Sequence, residues 1–309
     1  VNTSDFVRIG VAINPSSGRG RGSSYGEQTR DVLSRYPVDI VELSGASAAE
    51  SLHKARQAVS EGAIDALLTV GGDGMVHVGA NAVADTHVPL GIIAVGSGND
   101  IAREFRLPIR NVHNSVHQVI SCLFGGRARP TDVIAIDSAV GRSYALAVLS
   151  AGIDAAINLR TNNLTWPKSN MRYVRAALES LSAFPTYGMR IRVDGMEARG
   201  PITLAAIANT RYIGGGMNIA PQAKTDDGIL NVMVGYAPHA VTLLRLLPLL
   251  YSGKYASSRI IHTIAGRHIH IEEDPAFGSP APIAMADGEI IDKLPLDITC
   301  LPGGLDLLI

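Results

Sequence analysis

Five carboxylates, set in four short glycine-bearing stretches, are the side chains of this chain with the clearest chemistry to offer. Asp73 lies in Gly71-Gly72-Asp73-Gly74-Met75 and Asp100 in Gly96-Ser97-Gly98-Asn99-Asp100. Asp227 lies in Asp226-Asp227-Gly228, and Asp287 and Glu289 share Asp287-Gly288-Glu289. Glycines where a strand runs into a helix let the backbone take positive φ and let a ligand approach the main chain. The helix start adds free N–H groups and the positive end of a dipole, which favours an anion, most often phosphate. A carboxylate in such a turn repels phosphate unless a cation or a polar hydrogen lies between them. A bridging Mg²⁺, or a hydrogen bond to a substrate hydroxyl, resolves the conflict. The plainer reading is a tight turn with Asp or Asn near the N-cap.

A further turn, Asn14-Pro15-Ser16-Ser17-Gly18-Arg19-Gly20-Arg21-Gly22, combines glycines, small hydroxyls and two arginines. It fits neither GxxxxGK[ST] nor GxGxxG. Its N–H groups could still surround phosphates, with Arg19 or Arg21 neutralising charge; a solvated loop is the alternative. The elements that must carry these turns are legible around them. Apolar, β-branched runs predict strands at Phe6–Ile13, Val38–Leu43, Ile64–Val70 and Pro89–Val95. Helices are predicted at Ser24–Arg35, from Ser47 to about Glu61, at Met75–Ala84, Ile101–Phe105 and Asn111–Phe124. Ser47 and Glu50 make a capping-box pattern, with Ala48, Leu52, Ala55 and Val59 on one face. Strand–helix alternation implies a parallel sheet with helices on both faces, whose ligands bind beyond the C-terminal strand ends. Asn14–Gly22, Ser44, Gly71–Met75 and Gly96–Asp100 all fall at such ends.

From about Thr131 the texture changes to short strands. These are expected at Asp132–Ile136, Ser143–Leu149, Met189–Val193, Thr203–Ala208, Ile229–Gly235, Ile260–Ile264, His268–Ile271 and Leu296–Leu301. Val193-Asp194-Gly195-Met196 is a hairpin signal, and Asp287-Gly288 alone also reads as a hairpin turn. Two helices, Asn170–Ala183 and His239–Leu250, interrupt a mainly antiparallel β-domain of two layers. Tyr212–Pro221 reads as a loop whose glycines suit close backbone approach. The division is therefore 1–130 for an α/β domain and 131–309 for a β-sandwich.

A length of 309 residues favours two domains. Aromatic content of 5% and a net charge of −1, without a dense Lys/Arg block, argue against nucleic-acid binding. Cys122 and Cys300 lie far apart and make no metal spacing, so a reducing compartment is inferred. His268 and His270 alternate on a strand and are not read as metal ligands. No apolar run has the length of a bilayer span, and Val1–Asp5 lacks a basic region before an apolar core. A cytoplasmic protein is expected, with peripheral contact at the inner membrane face left open. The aliphatic Ala240–Leu250 helix is read as core, with a lipid pocket or membrane surface as the alternative.

With INPSSG, GGDG and GSGND early, and the Asp227 and Asp-Gly-Glu stretches late, the chain resembles the diacylglycerol-kinase catalytic family in its bacterial form, over nearly its whole length. GGDG and G-[ST]-x-ND about 25 residues apart carry most of the specificity. NAD kinases are similar at GGDG but not at Gly91–Ala102. The family includes sphingosine and ceramide kinases, so these motifs leave the lipid open. The resemblance implies an α/β domain followed by a β-sandwich, with the active cleft between them and the last residues able to pack back on the first domain. It implies ATP across Asn14, Pro15, Ser16, Ser17, Gly18, Ser44, Gly71, Gly72, Asp73, Gly74, Met75, Ser97 and Asn99. Mg²⁺ would bridge phosphate to Asp73, with Asp100 as a further ligand. A structural Mg²⁺ would take the Asp227 carboxylate and the main-chain carbonyls of Lys224 and Ile229. Glu289 would accept the proton of a lipid hydroxyl, and Asp287 would position it or help bind Mg²⁺. Met75 departs from the family's usual Thr; the hydroxyl is missing and only the backbone N–H is left for phosphate. Val95 replaces the usual Pro, and Ser97 replaces Thr but keeps the hydroxyl. The implied activity is ATP-dependent phosphorylation of diacylglycerol or a sphingoid-like lipid. The alternatives are an NAD kinase and an inactive nucleotide-binding regulator. A homodimer through an edge strand is a further option.

Overall fold

The computed structural model describes residues 6–163, 186–236, 239–255, 258 and 260–309. The expected helix Asn170–Ala183 lies outside the described residues. The chain forms two compact units. The first comprises Val1–Val133, Gly214–Gly216 and Pro302–Ile309; the second comprises Ile134–Ile213 and Met217–Leu301.

In the first unit β1 (Val7–Ile13) leads through a short helical turn α1 (Ser17–Gly20) into α2 (Gly22–Leu33). Then follow β2 (Val38–Glu42), α3 (Ala48–Ser60), β3 (Ala66–Gly71), α4 (Asp73–Val83), β4 (Leu90–Ala94), α5 (Asp100–Glu104) and α6 (Val112–Phe124). The sheet order is β2-β1-β3-β4 and every pair is parallel. The central strands are continuous apolar runs, ALLTVG and LGIIA, buried along their length, as strands covered on both faces must be. Register aligns their C-terminal ends, with Ile13 opposite Val70 and Gly71 opposite Ala94, so the turns that follow start at one level. Helices α2 and α6 pack together, as do α3 and α4. Ile9, Val11, Leu33, Leu68, Ile93 and Val116 form the core beneath the first pair, each contributing roughly 1.5–3 kcal/mol by burial.

Helix α3 differs from its sequence reading in two details. Glu50 N donates to Ser47 Oγ (3.1 Å), but the Glu50 carboxylate accepts from Ala46 N (2.8 Å), one residue before the N-cap. The buried face is Ser51, Ala55 and Ala58, with Ala48 exposed and Leu52 and Val59 half-buried at the rim. Small residues line this face where α3 packs on α4, and the bulkier Leu52 and Val59 flank it.

The second unit is mainly antiparallel. Two strands begin in one unit and end in the other: β5 (Arg129–Ser138) and, last in the chain, β18. After β5 come β6 (Gly141–Ala145), β7 (Val148–Ser150), α7 (Ile153–Asn163), β8 (Tyr187–Val193), β9 (Met196–Ile202), β10 (Leu204–Ala208), β11 (Tyr212–Ile213) and β12 (Met217–Asn218). The chain continues through β13 (Leu230–Gly235), α8 (Ala240–Ser252), β14 (Ile261–Gly266), β15 (His268–Glu273), β16 (Met285–Ala286), β17 (Glu289–Ile290) and β18 (Leu296–Leu307). One sheet runs β14-β13-β10-β7-β16-β17, and in the other β15 lies between β8 and the first half of β18, with β9 beyond β8. Together they form a β-sandwich.

Three expectations change here. The single strand expected at Ser143–Leu149 is broken into β6 and β7, because the amides between them turn to a carboxylate described below. Strand β9 was not anticipated; it joins β8 through the Asp194-Gly195 turn, whose φ values of 45° and 89° are those of a type I′ hairpin. The last strand continues past Leu301 to Leu307.

Candidate functional site

The first-unit turns converge at the C-terminal strand ends. Asn14 N donates to Val70 O (3.0 Å), while Asn14 Oδ1 and O accept from Ser16 N (2.9 Å) and Ser17 N (3.1 Å). Gly18 and Arg19 follow at φ 61° and 63°, a left-handed pair that folds the loop back. Pro15, Ser16 and Arg19 are exposed. Ser44 joins this group: its Oγ accepts from Ile13 N (3.1 Å), and its carbonyl accepts from Lys54 Nζ (3.0 Å).

The turns after β3 and β4 touch backbone to backbone. A methyl placed on Gly96 would lie 2.3 Å from Gly72 Cα, so this approach excludes any side chain there. Gly71 O accepts from both Val95 N (2.8 Å) and Gly96 N (3.1 Å). Asp73, in the first turn of α4, accepts from Ile101 N at its Oδ1 (3.1 Å), so the carboxylate of one turn caps the short helix of the next. Asn99 sits at φ 55°; its Nδ2 donates to Gly96 O (2.9 Å) and its buried Oδ1 has no protein donor. Ser97 is exposed beside it.

Asp100 is buried and held from two directions. Arg103 Nη1 pairs with its Oδ1, and Gly215 N donates to its Oδ2 (2.7 Å), with Gly216 as a further amide donor. Burial pushes the carboxyl above its ordinary range, against the opposing pull of those amides and of Arg103. Both oxygens are thus engaged by protein groups. Met75 departs from expectation. Its side chain is buried against Gly71, and its N–H donates to Gly72 O (2.9 Å), so the amide left for phosphate is already used inside the helix start. Sequence reasoning missed Gly215 and Gly216 as partners of Asp100, and Arg110, whose Nη2 donates to Gly96 O (3.1 Å). The glycine run at 214–216 was a visible signal; its target was not.

The second unit carries the remaining candidates. Asp287 and Gly288, at φ 53° and 89°, form the type I′ turn between β16 and β17, with Ala286 paired to Glu289. The Asp287 carboxylate accepts from Leu146 N (2.9 Å), Ala147 N (2.9 Å) and Val148 N (3.1 Å). This is what interrupts the strand between β6 and β7. Glu289 is exposed on the hairpin. Asp227 is exposed, and its Oδ1 accepts from Ile229 N (3.2 Å) across Gly228, at φ 72°. Among the described residues no group of three or more His, Cys, Asp or Glu side chains is arranged around a metal position.

One partly buried acid was not singled out from the sequence. Asp154, in the first turn of α7, has a buried Oδ1 without a protein donor, and burial pushes its carboxyl up to about 6. Nearby Tyr187 is pushed to about 12, by burial first and by Asp154 second.

Comparison with known proteins places these features in context. Residues 8–136 match the diacylglycerol kinase catalytic domain, and residues 147–309 match the YegS C-terminal NAD kinase beta sandwich-like domain. A diacylglycerol kinase of Mycobacterium tuberculosis (strain ATCC 25618 / H37Rv) is 33% identical over 307 residues, covering 98% of this chain and 96% of that one. A diacylglycerol kinase of Bacillus subtilis (strain 168) is 24% identical, covering 84% of each. A crystal structure from Bacillus anthracis str. Sterne superposes with a TM-score of 0.76 at 21% identity, covering 99% of this chain and 98% of that one, a likeness of fold alone.

Proposed function

The chain belongs to the diacylglycerol kinase family, and from that premise we propose that it transfers the γ-phosphoryl group of ATP to the free hydroxyl of a diacylglycerol. The observation that carries the substrate is the 33% identity, over 98% of the chain, to a protein of that name. The nucleotide reading draws support from the first-unit turns, which gather glycines, hydroxyls and helix starts at one sheet end.

In this reading Asn14, Pro15, Ser16, Ser17, Gly18 and Ser44 border the phosphates, with Arg19 and Arg21 supplying positive charge. Gly71, Gly72 and Gly74 let the phosphates approach the α4 start, and Ser97 offers its hydroxyl from the neighbouring turn. Mg²⁺, when bound, neutralises phosphate charge, and Asp73 is the carboxylate to meet it. Asn99 and Asp100 act as positioning residues: Asn99 folds the second turn on itself, and Asp100 ties it to Arg103 and Gly215. Glu289 takes the proton from the lipid hydroxyl as its oxygen attacks the γ-phosphorus; the bond to the β-phosphate oxygen breaks and ADP leaves. Asp287 fixes the hairpin that presents Glu289. A second Mg²⁺ at Asp227 and the Lys224 and Ile229 carbonyls would brace the turn entering β13.

The test is transfer of labelled phosphate from ATP to diacylglycerol in detergent micelles. Asp73→Asn and Glu289→Gln should each lower kcat on the order of 10²–10⁴-fold. Transfer by Asp73→Asn at the wild-type rate would remove Asp73 from the mechanism. A parallel panel with a sphingoid base and with NAD separates the related chemistries, and NADP⁺ formation in place of lipid phosphate would redirect the assignment.

A further inference from the structure

Helix α8, AVTLLRLLPLLYS, has an apolar outer face. Val241 is 57% exposed, Leu249 37% and Tyr251 52%, and Pro248 and Arg245 are exposed with them. At 100° per residue Val241, Arg245, Pro248, Leu249 and Ser252 fall on one side, with buried Leu250 opposite. The helix end is fixed to its own unit. Gly253 closes it at φ 68°, Lys254 N returns to Leu249 O (3.0 Å), and Tyr255 Oη donates to Ile219 O (2.5 Å). A methyl on Gly253 would lie 2.9 Å from Asn218 Nδ2, so the end seats closely on β12 and the segment after it.

Charge supplies the second observation. From Gly228 to Ile271 the sequence has no Asp or Glu, although the chain holds 28 of them and has a net charge of −1. The same stretch carries Arg245, Lys254, Arg259 and Arg267. Exposed apolar side chains on a helix, beside cations and within an acid-free stretch of sequence, are the composition of a helix that lies in a lipid interface. A second copy of the chain fits it less well, because a two-fold contact would set Arg245 and Lys254 against their own copies.

We propose that the outer face of α8, with Lys254 beyond its end, docks on an anionic lipid bilayer. The occupant rests on the lipid-kinase reading, since a diacylglycerol must be collected from a membrane. Val241, Pro248 and Leu249 enter the headgroup–acyl boundary, with Tyr251 at its rim, while Arg245 and Lys254 meet lipid phosphates.

Sedimentation of the full chain with vesicles tests this. Vesicles of equal parts phosphatidylcholine and phosphatidylglycerol should bind at least about tenfold more tightly than phosphatidylcholine alone. Arg245→Glu and Lys254→Glu should each weaken binding about fivefold or more, and Val241→Glu with Leu249→Glu should abolish it. A Val241→Cys variant carrying an environment-sensitive dye should shift to the blue on anionic vesicles; Cys122 and Cys300 are buried and stay unlabelled. Phosphate transfer to water-soluble dihexanoylglycerol should be unchanged in the α8 variants, which also shows that they fold. Equal binding by wild type and variants, or a wild-type dimer that Val241→Glu with Leu249→Glu converts to monomer without any vesicle binding, would overturn the docking face. Absence of transfer to dihexanoylglycerol by the wild type would instead sink the kinase reading, and vesicle binding would still decide the face.

Discussion

Asp154 shows how one residue's environment can be read as a stability signal. Its carboxyl is pushed from near 4 to about 6 because burial penalises the charged form more than Ser150 and nearby amides favour it. The folded state therefore binds the proton more tightly than the unfolded chain. Between about pH 4 and pH 6 stability falls as pH rises, and above 6 the folded protein carries a buried charge at full penalty. Asp154→Asn should raise stability by about 2–3 kcal/mol at pH 7.5 and bring little gain at pH 4.5. Thermal melts of both proteins across that range check it; a gain independent of pH would show that the carboxyl is not the group titrating. Asp154 did not stand out in the sequence because an Asp two residues after a glycine, at a helix start, looks like an ordinary first-turn acid. What sets it apart is enclosure, which only the packed fold supplies.

At the scale of elements, the hairpin β16–β17 and the break between β6 and β7 are one device. Asp287 provides the type I′ turn with a left-handed residue and, through its side chain, the acceptors for three consecutive amides. Asp287→Ala should leave those donors without their acceptor and lower stability by about 2–4 kcal/mol, whereas Asp287→Asn keeps one acceptor oxygen and should lose less. Amide exchange at Leu146, Ala147 and Val148, measured against exchange in β10, separates this from a global effect. The sequence displayed the turn and hid its partners: Asp287 and these amides stand 139 to 141 residues apart. Asp100 and Gly215 are likewise 115 residues apart. By contrast GGDG and GSGND were legible because glycine is demanded locally, by a backbone that must turn and approach another. Strand β9 was signalled only by the hairpin turn before it, for an opposite reason. It carries Glu197, Arg199, Gly200 and Pro201, and so lacks apolar alternation. Ion pairs across to β8, such as Arg192 to Glu197 (3.5 Å), take the place of that pattern.

For the whole molecule, the return of the chain end to the first unit deserves a quantitative test. Pro302–Ile309 belongs to that unit although it lies some 170 residues beyond Val133 in sequence. Leu307 pairs in parallel with Leu90, Leu308 N donates to Leu90 O (2.9 Å), and Ile309 O accepts from Cys122 Sγ (3.2 Å). Gly303 N donates to Asp132 Oδ1 (2.9 Å), and Asp85 N donates to Gly304 O (2.8 Å). Leu305, Leu307 and Leu308 are buried. The first unit thus completes the β4 side of its sheet with residues far away in sequence, so its full stability depends on that distant segment. Leu307→Ala should cost about 2–5 kcal/mol through lost burial and the cavity left behind. The loss should appear first as faster amide exchange in Leu90–Ala94, with exchange in Leu230–Gly235 of the second unit unchanged. If both units lose protection equally, they unfold as one cooperative body, and the last strand is a support of the whole chain rather than of its first unit.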